Sequence, residues 1–273
     1  MQGVYSQKDF LEARNNSLDI VIHNKYQFEI VKDNDSFDNL WFKINTGMNR
    51  LGFEEDEFLD IYNNFLLDKE FTLMSHLSAS NVPDDPANKN QFARFDNLSN
   101  KLHSNVLKSI ANTGCIMNFP EKSYDWVRAG IGIFGGYIGS EELKTTMTLR
   151  SQIINIRDIK KGERVGYDGR GEAKAKMKIA TVYIGYADGL PNHIKDGTLI
   201  KINNHDAKVF GKVNMDVTTV DVTNIPDCNV GDWCEFFSPK DSITNLATSN
   251  SLLSYDLMIR IKSRVKRIYK KLG

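Results

Sequence analysis

The chain is short of the features that mark several protein classes at once. Basic and acidic residues balance at 35 each, so no field of one sign favours a nucleic acid or an anionic membrane. Long hydrophobic runs are missing. The longest uncharged, largely apolar stretch, AGIGIFGGYIG, has 11 residues, against the roughly 18 or more of a membrane span. The opening MQGVYSQKDF has no apolar core of a secretory leader. Three cysteines (Cys115, Cys228, Cys234) form neither a CxxC pair nor a metal-ligand spacing, and an odd count fits a reducing compartment. These absences set the expectation of a soluble, cytoplasmic protein with no metal, no nucleic-acid partner and no membrane attachment. What remains is 273 residues with 41% hydrophobic content, enough for one large domain or two ordinary ones.

Two patterns divide the chain. LDIVIH, LWFKIN and FTLMSHLS read as strands, and helical patterns follow them near 25–33, 54–66 and 87–108. SIANTG and DWVRAGIGIF look like two further strand ends. Strands alternating with helices imply βα units on a parallel sheet. From about Met147 the runs MTLRSQIINIRDI, KIATVYIG, TLIKINN, AKVFGKVNMDVTTVDV and DWCEFF are separated by Gly, Asn and Asp turns. They predict a mostly antiparallel β domain. A helix and a basic, strand-like tail, SRVKRIYKKLG, close the chain, and the charge of the tail reads as a solvated edge. The expected division is 1–146 and 147–273.

In the first half, polar residues recur at one place. His23, Asn45 with Thr46, His76, Asn112 with Thr113, and Arg128 each stand at or just past a predicted strand end. Capping residues belong in βα loops in any case, but five in succession favour a shared site, as at the C-terminal face of a (β/α)8 barrel. Length then disagrees with a full barrel, which takes about 250 residues, or roughly 31 per unit. The 146 residues before the β domain hold between four and five units. The expected fold class is therefore α/β plus all-β: a partial (β/α)8 TIM-like barrel, about the last four to five units, followed by a C-terminal β domain.

Several motifs carry possible chemistry, each with a plainer account beside it. GIGIFG, Gly130 to Gly135, matches G-x-G-x-x-G, but no acid stands about 20 residues on, so dinucleotide binding is rejected. Backbone amides at such a strand end can still cradle a phosphate; tight packing is the competing account. WFKINTGMNRLGF places Lys43 and Asn45 on one side of a strand and Arg50 in the following turn. The guanidinium of Arg50 suits a carboxylate, although a loop arginine is more often a surface charge. His76 in MSHLSAS is equally readable as structural. VYIGYADGLP sets Tyr186 on a glycine-hinged turn. A phenol with a pKa near 10 is a poor base at neutral pH unless cations favour its anion.

Taken together, FKINTGMNRLGF, RAGIGIFG, IGYADG, GKVNMDVTTVDV, SYDLM and SRVKRIY resemble alanine racemase in order and spacing, from near Gly3 to the C-terminus. The resemblance implies pyridoxal 5′-phosphate as cofactor, alanine as substrate, a cofactor-bearing barrel, and a homodimer in which one subunit's β domain completes the other's site. D-alanine made this way would serve peptidoglycan synthesis. By the same resemblance Tyr186 is the catalytic base for L-alanine, and His76 stacks on the cofactor ring and links to that tyrosine. Arg50 and Met215 contact the substrate carboxylate. Lys43, a lysine that can be carbamylated, holds Arg50. Arg128 faces the pyridine nitrogen. Thr113, Gly130, Ile131 and Tyr255 cradle the phosphate. Asn45, Phe134 and Asn214 stand where relatives often have aspartate, tyrosine and cysteine, but none of them removes a named role.

One part of the family pattern has no counterpart. The second base, a lysine that also forms the Schiff base, lies in a KANAYGHG-like segment at the end of the first barrel strand, and nothing in this chain resembles it. The expectation is an N-terminally truncated racemase with little activity of its own and two open sheet edges prone to association. A non-catalytic, dimerising remnant and a related serine or lysine racemase are the alternatives.

Overall fold

The computed structural model describes residues 2–32 and 40–270. They form two compact units, Met1–Gly130 and Ile131–Gly273.

The first unit is a four-stranded parallel sheet in the order β1 (Ile20–Ile22), β2 (Leu40–Lys43), β3 (Thr72–Met74), β4 (Leu107–Ser109). The first three strands are buried at every position, which is why they read as unbroken apolar runs. Helices alternate with them: α1 (Gln7–Asn15), α2 (Lys25–Val31), α3 (Glu55–Ile61), α4 (Pro86–Ser99) and α5 (Thr113–Asn118). Their starts are written in the sequence. Ser6, Asn24, Asp85 and Asn112 each accept a hydrogen bond from a first-turn amide, satisfying groups the helix leaves orphaned. Pro86 occupies the first turn of α4, where its missing N–H costs nothing.

Three sequence expectations change here. The helix near 54–66 is α3 continued by a π turn over Tyr62–Leu66. The helix expected to reach Lys108 stops at Ser99, because Leu107–Ser109 pairs with β3 instead. DWVRAGIGIF is not a strand: Arg128 makes a single bridge to Asn112, and Ile131–Phe134 is a 3-10 turn. Of the helix expected at 25–33, Asp33 lies outside the described residues.

An aromatic core underlies the sheet. The ring of Phe42 lies 5.5 Å from Phe71, 5.8 Å from Phe58 and 6.3 Å from each of Phe28 and Phe53.

The second unit is built on β5 (Leu149–Ile159), a β6–β7 hairpin (Arg164–Val165, Gly171–Glu172), β8 (Met177–Val182), β9 (Leu199–Ile202), β10 (His205–Val209), β11 (Thr218–Asp221) and β12 (Trp233–Phe237). Six of these strands close into a barrel in the order β10-β11-β8-β5-β12-β9, with every pairing antiparallel. Asn203 and Asn204, both at positive φ (50° and 64°), make the two-residue turn between β9 and β10, the conformation a right-twisted hairpin demands. Alternate residues such as Ile153, Val182, Ile202, Val209 and Val220 fill the interior. Two short helices follow, α6 (Ile243–Ser249) and α7 (Ser254–Arg260). The basic tail that reads as a strand is irregular from Ile261 to Lys270, and residues 271–273 lie outside the described residues. Among the described residues no helix is long and apolar enough to cross a membrane.

Truncating Phe42, fully buried at the centre of the aromatic cluster, should destabilise the first unit by about 3–5 kcal/mol. Urea unfolding of Phe42→Ala against the parent chain measures this.

Candidate active site

The loop after β2 shows why NTGMNRLGF has its residues. The chain leaves β2 at Lys43 and returns to it at Phe53, whose amide donates to the Lys43 carbonyl while its own carbonyl accepts from the Asn45 amide, both at 2.9 Å. Asn45 staples the turn. Its side-chain oxygen accepts from the amides of Gly47 (3.1 Å) and Asn49 (3.0 Å), and its amide donates to Glu54 at 2.7 Å. Gly52 has φ +127°, and a Cβ there would fall 2.5 Å from the Asn45 nitrogen, so no other residue fits. Arg50 stands exposed on this loop.

The ends of strands β3 and β4 are joined through Arg128. Its Nη2 donates to the Ser75 carbonyl at 2.6 Å and lies 3.4 Å from His76 Nδ1, and its Nη1 donates to the Ser109 hydroxyl. Ser109 in turn donates to the Trp126 carbonyl at 2.9 Å, which ties the arginine to its own strand-like segment. A guanidinium only donates, so His76 Nδ1 is an acceptor and the imidazole proton sits on Nε2.

The charge in this unit is one-sided. Among the described residues, Lys43, Arg50 and Arg128 form no ion pair with a carboxylate. Burial, and then the guanidinium groups of Arg50 and Arg128, hold the Lys43 amine below its ordinary pKa. Burial foremost, followed by the charges of Arg128, Lys43 and Arg50, pushes His76 down to about 4, so it is neutral at pH 7. Arg128 falls to about 10 by burial and stays charged. An array of cations around a neutral histidine attracts an anion. Thr113, at the start of α5, accepts the Gly130 amide on its hydroxyl at 3.1 Å. His23, the outermost of the strand-end residues, is held below its usual pKa chiefly by burial, and its Nε2 donates to the Gln2 carbonyl at 3.1 Å.

In the second unit, Tyr186 sits on the turn that follows β8. The Tyr186 and Ala187 amides donate to the Asn214 and Met215 carbonyls at 3.0 and 2.9 Å. The two turns press so closely that a Cβ at Gly185 would lie 2.3 Å from both carbonyl oxygens. The sequence reading of VNMDVTTVDV as one strand is therefore corrected: Met215 lies in the loop before β11, held against the Tyr186 turn. Asp188 closes that turn by accepting the Gly185 amide at 2.8 Å. Arg264, from the irregular tail, donates to Asp188 and to Asp216 at 2.7 Å each, bracing the Tyr186 and Met215 turns together. Tyr186, Met215 and Tyr255 are all substantially exposed. Tyr255 accepts the Ile131 amide on its phenol oxygen at 3.3 Å. No cluster of histidine, cysteine and carboxylate suited to a metal occurs among the described residues.

The structure thus gathers Lys43, Arg50, His76, Arg128, Thr113 and Gly130 in one unit, and Tyr186, Met215, Ile131 and Tyr255 in the other. Sequence reasoning missed Ser75 and Ser109, which seat Arg128, and the bracing role of Arg264. Short hydroxyl residues inside strand ends are too common to signal such a role on their own.

An anion-attracting set of strand ends on a parallel sheet, followed by a β barrel that offers a tyrosine, defines an α/β enzyme with an appended β domain. Two family models cover almost the whole chain: the alanine racemase N-terminal domain over residues 1–138 and its C-terminal domain over 146–269. The alanine racemase of Alteromonas mediterranea is 32% identical over 279 residues, spanning 99% of this chain and 77% of that protein. The structure of the biosynthetic alanine racemase from Pseudomonas aeruginosa superposes with a TM-score of 0.93 at 29% identity, covering 99% of this chain and 78% of that one. That of Bartonella henselae, solved with covalently bound pyridoxal phosphate, gives a TM-score of 0.87 at 24% identity over 99% of this chain and 78% of its own. The chain belongs to the alanine racemase family of pyridoxal-phosphate-dependent isomerases, whose fold is a TIM-like barrel with a C-terminal β domain; the described residues of the first unit form four parallel strands in that fold.

The depressed pKa of His76 makes stability depend on pH. Below about 6.5 the unfolded chain takes up a proton that the folded site refuses until about 4, so the stabilisation present above 6.5 is lost progressively through that window. Melting temperatures from pH 8 to 4 should fall less steeply for His76→Asn than for the parent. The Arg264 brace is exposed, so its effect should shrink as salt rises. In Arg264→Ala the Tyr186 and Ala187 amides should exchange with solvent several-fold faster, read by hydrogen exchange at low salt.

Proposed function

We propose that this chain is an alanine racemase-type isomerase that binds pyridoxal 5′-phosphate and moves the α-proton of alanine, interconverting the L and D forms, with D-alanine serving cell-wall synthesis. The observation that carries the reading is the array of Lys43, Arg50 and Arg128 without carboxylate partners around a neutral His76. Such a donor set fits an anionic cofactor and a substrate carboxylate, and the lack of an acid beside Arg128 among the described residues fits a ring nitrogen left unprotonated. When bound, pyridoxal phosphate supplies an electron sink for the pair left at Cα on loss of the proton.

The protein's own groups divide the remaining work. Thr113, Gly130, Ile131 and Tyr255 are assigned to the phosphate through hydroxyls and backbone amides. Arg128 is assigned to the ring nitrogen; charged and seated by Ser75 and Ser109, it would give that nitrogen no proton, so the electron pair at Cα would be stabilised less and transamination discouraged. Arg50 and Met215 hold the substrate carboxylate and so orient the Cα–H bond. Burial and the neighbouring guanidinium groups lower the pKa of Lys43 and so raise the small share of neutral amine, the form that reacts with carbon dioxide. The N–C bond forms as a proton leaves to water, and the anionic carbamate would turn Lys43 from a neighbour of like charge into an anchor for Arg50. Tyr186 takes or returns the proton on one face. The β domain of one copy supplies Tyr186 and Met215 to a second copy, so the working form is a homodimer.

Lys43 is the one buried lysine among the described residues, and it is already assigned to Arg50. No residue of this chain is assigned as the base on the opposite face, so full racemisation by this chain is slow. In D2O with pyridoxal phosphate, L-alanine should therefore gain α-deuterium faster than D-alanine appears. Tyr186→Phe should cut that exchange by roughly 10²-fold or more. NMR of the α-proton and a chiral assay read the two rates. Exchange no faster than with free cofactor would sink the racemase reading, and D-alanine formation as fast as exchange would overturn the one-face assignment.

A further inference from the structure

We infer that Gln91, on helix α4, is a positioning residue for His76 and Arg128, acting through the loop after β3; the inference rests on the reading of those two residues as part of the site. Gln91 is 2% exposed, and every hydrogen-bonding position of its amide is used. Its oxygen accepts the Ser78 amide and the Ser78 hydroxyl, both at 2.8 Å. Its nitrogen donates to the His76 carbonyl at 2.9 Å and to the Thr46 hydroxyl at 3.1 Å. The amide cannot be flipped, because the backbone N–H of Ser78 can only donate.

The same logic orients the hydroxyls beyond it. Ser75 spends its one proton on the Ile44 carbonyl at 2.9 Å. In the 2.7 Å contact between Thr46 and Ser75 the threonine must therefore donate. A one-way chain results, from Gln91 to Thr46 to Ser75 to Ile44, with Thr46, Ser75 and Gln91 all buried. Each link polarises the next, and in a dry setting each is expensive to leave unmade. The Ser75–His76 segment is thus gripped at two points by a single side chain: at the His76 carbonyl directly, and at the Ser75 hydroxyl through Thr46. The Ser75 carbonyl is also the acceptor that seats Arg128 at 2.6 Å. A helix behind the sheet in this way sets where the imidazole and the guanidinium stand relative to each other.

Leucine at this position fills the volume but makes none of the four bonds. The loop should then relax, and the His76 ring should gain solvent and distance from the cations that face it, Arg128, Lys43 and Arg50. The test is the titration of His76 in the full chain with 13C-labelled histidine, its signal among the five histidines identified by loss in His76→Asn. In Gln91→Leu the midpoint should move from about 4 up toward 6.5. Thr46→Val, which cuts only the second grip, should move it the same way by less. Ser78→Ala, which removes one donor to the amide oxygen and leaves both grips intact, should not move it. A folded Gln91→Leu whose His76 still titrates at about 4 overturns the inference, as does an unmoved Thr46→Val if the leucine variant does not fold. The titration is independent of activity. Absence of deuterium exchange in the parent chain would therefore count against the racemase reading alone, and an unmoved His76 against Gln91 alone.

Discussion

Positive charge held at the ends of a parallel sheet, with no acid among the described residues to balance it, is the constraint on which the first unit depends. Burying Arg128 and Lys43 costs solvation, and like charges nearby add to that cost. The fold meets it in part with neutral oxygens: the Ser75 carbonyl, the Ser109 hydroxyl and the Ile110 carbonyl around Arg128. What these dipoles leave uncompensated is a standing preference for a negatively charged guest. It also explains why His76, in the same surroundings, stays neutral. On the proposed reading, stability and binding draw on the same residues here, and folding energy is given up for function.

In the second unit the governing constraint is steric. Gly185 has carbonyl oxygens at its back, and the two turns that carry Tyr186 and Met215 touch through their backbones. Asp188 and Arg264 then hold those turns from the solvent side. On the proposed reading the Tyr186 phenol must offer its oxygen at one point in space, and packing alone cannot fix it while it remains exposed. Fixing the turn beneath it is the alternative, and the glycine permits the approach.

Much of this was legible beforehand for physical reasons that can be named. Strands β1 to β3 are covered on both faces and read as apolar runs, and helical patterns mark α2, α3 and α4. By contrast α1 and the short α5, capped by Ser6 and Asn112, go unread because so short a helix carries little periodicity. The end of α4 was not legible. Leu102 and Leu107 continue an apolar pattern that a helix could use, and only the open edge of β3 claims the second of them. The Met215 loop was misread for a similar cause: Val213 and Val217 on either side of it suit a strand, but the backbone groups at Asn214 and Met215 are taken by the Tyr186 turn.

The amino-acid sequence by itself determined the kinds of residue available at the strand ends, the alternation of strand and helix, and the family to which the chain belongs, because these follow from local spacing and side-chain chemistry. It could not say which polar residues would meet. Ser75, Gln91 and Arg128 are separated by 16 and 37 residues, and whether they share a network is decided by how β2, β3, β4 and α4 stack. The same holds for Asp188 and Arg264, 76 residues apart. Hydrogen bonds and charge act over a few ångströms in space, and only the tertiary structure turns distance along the chain into distance between atoms.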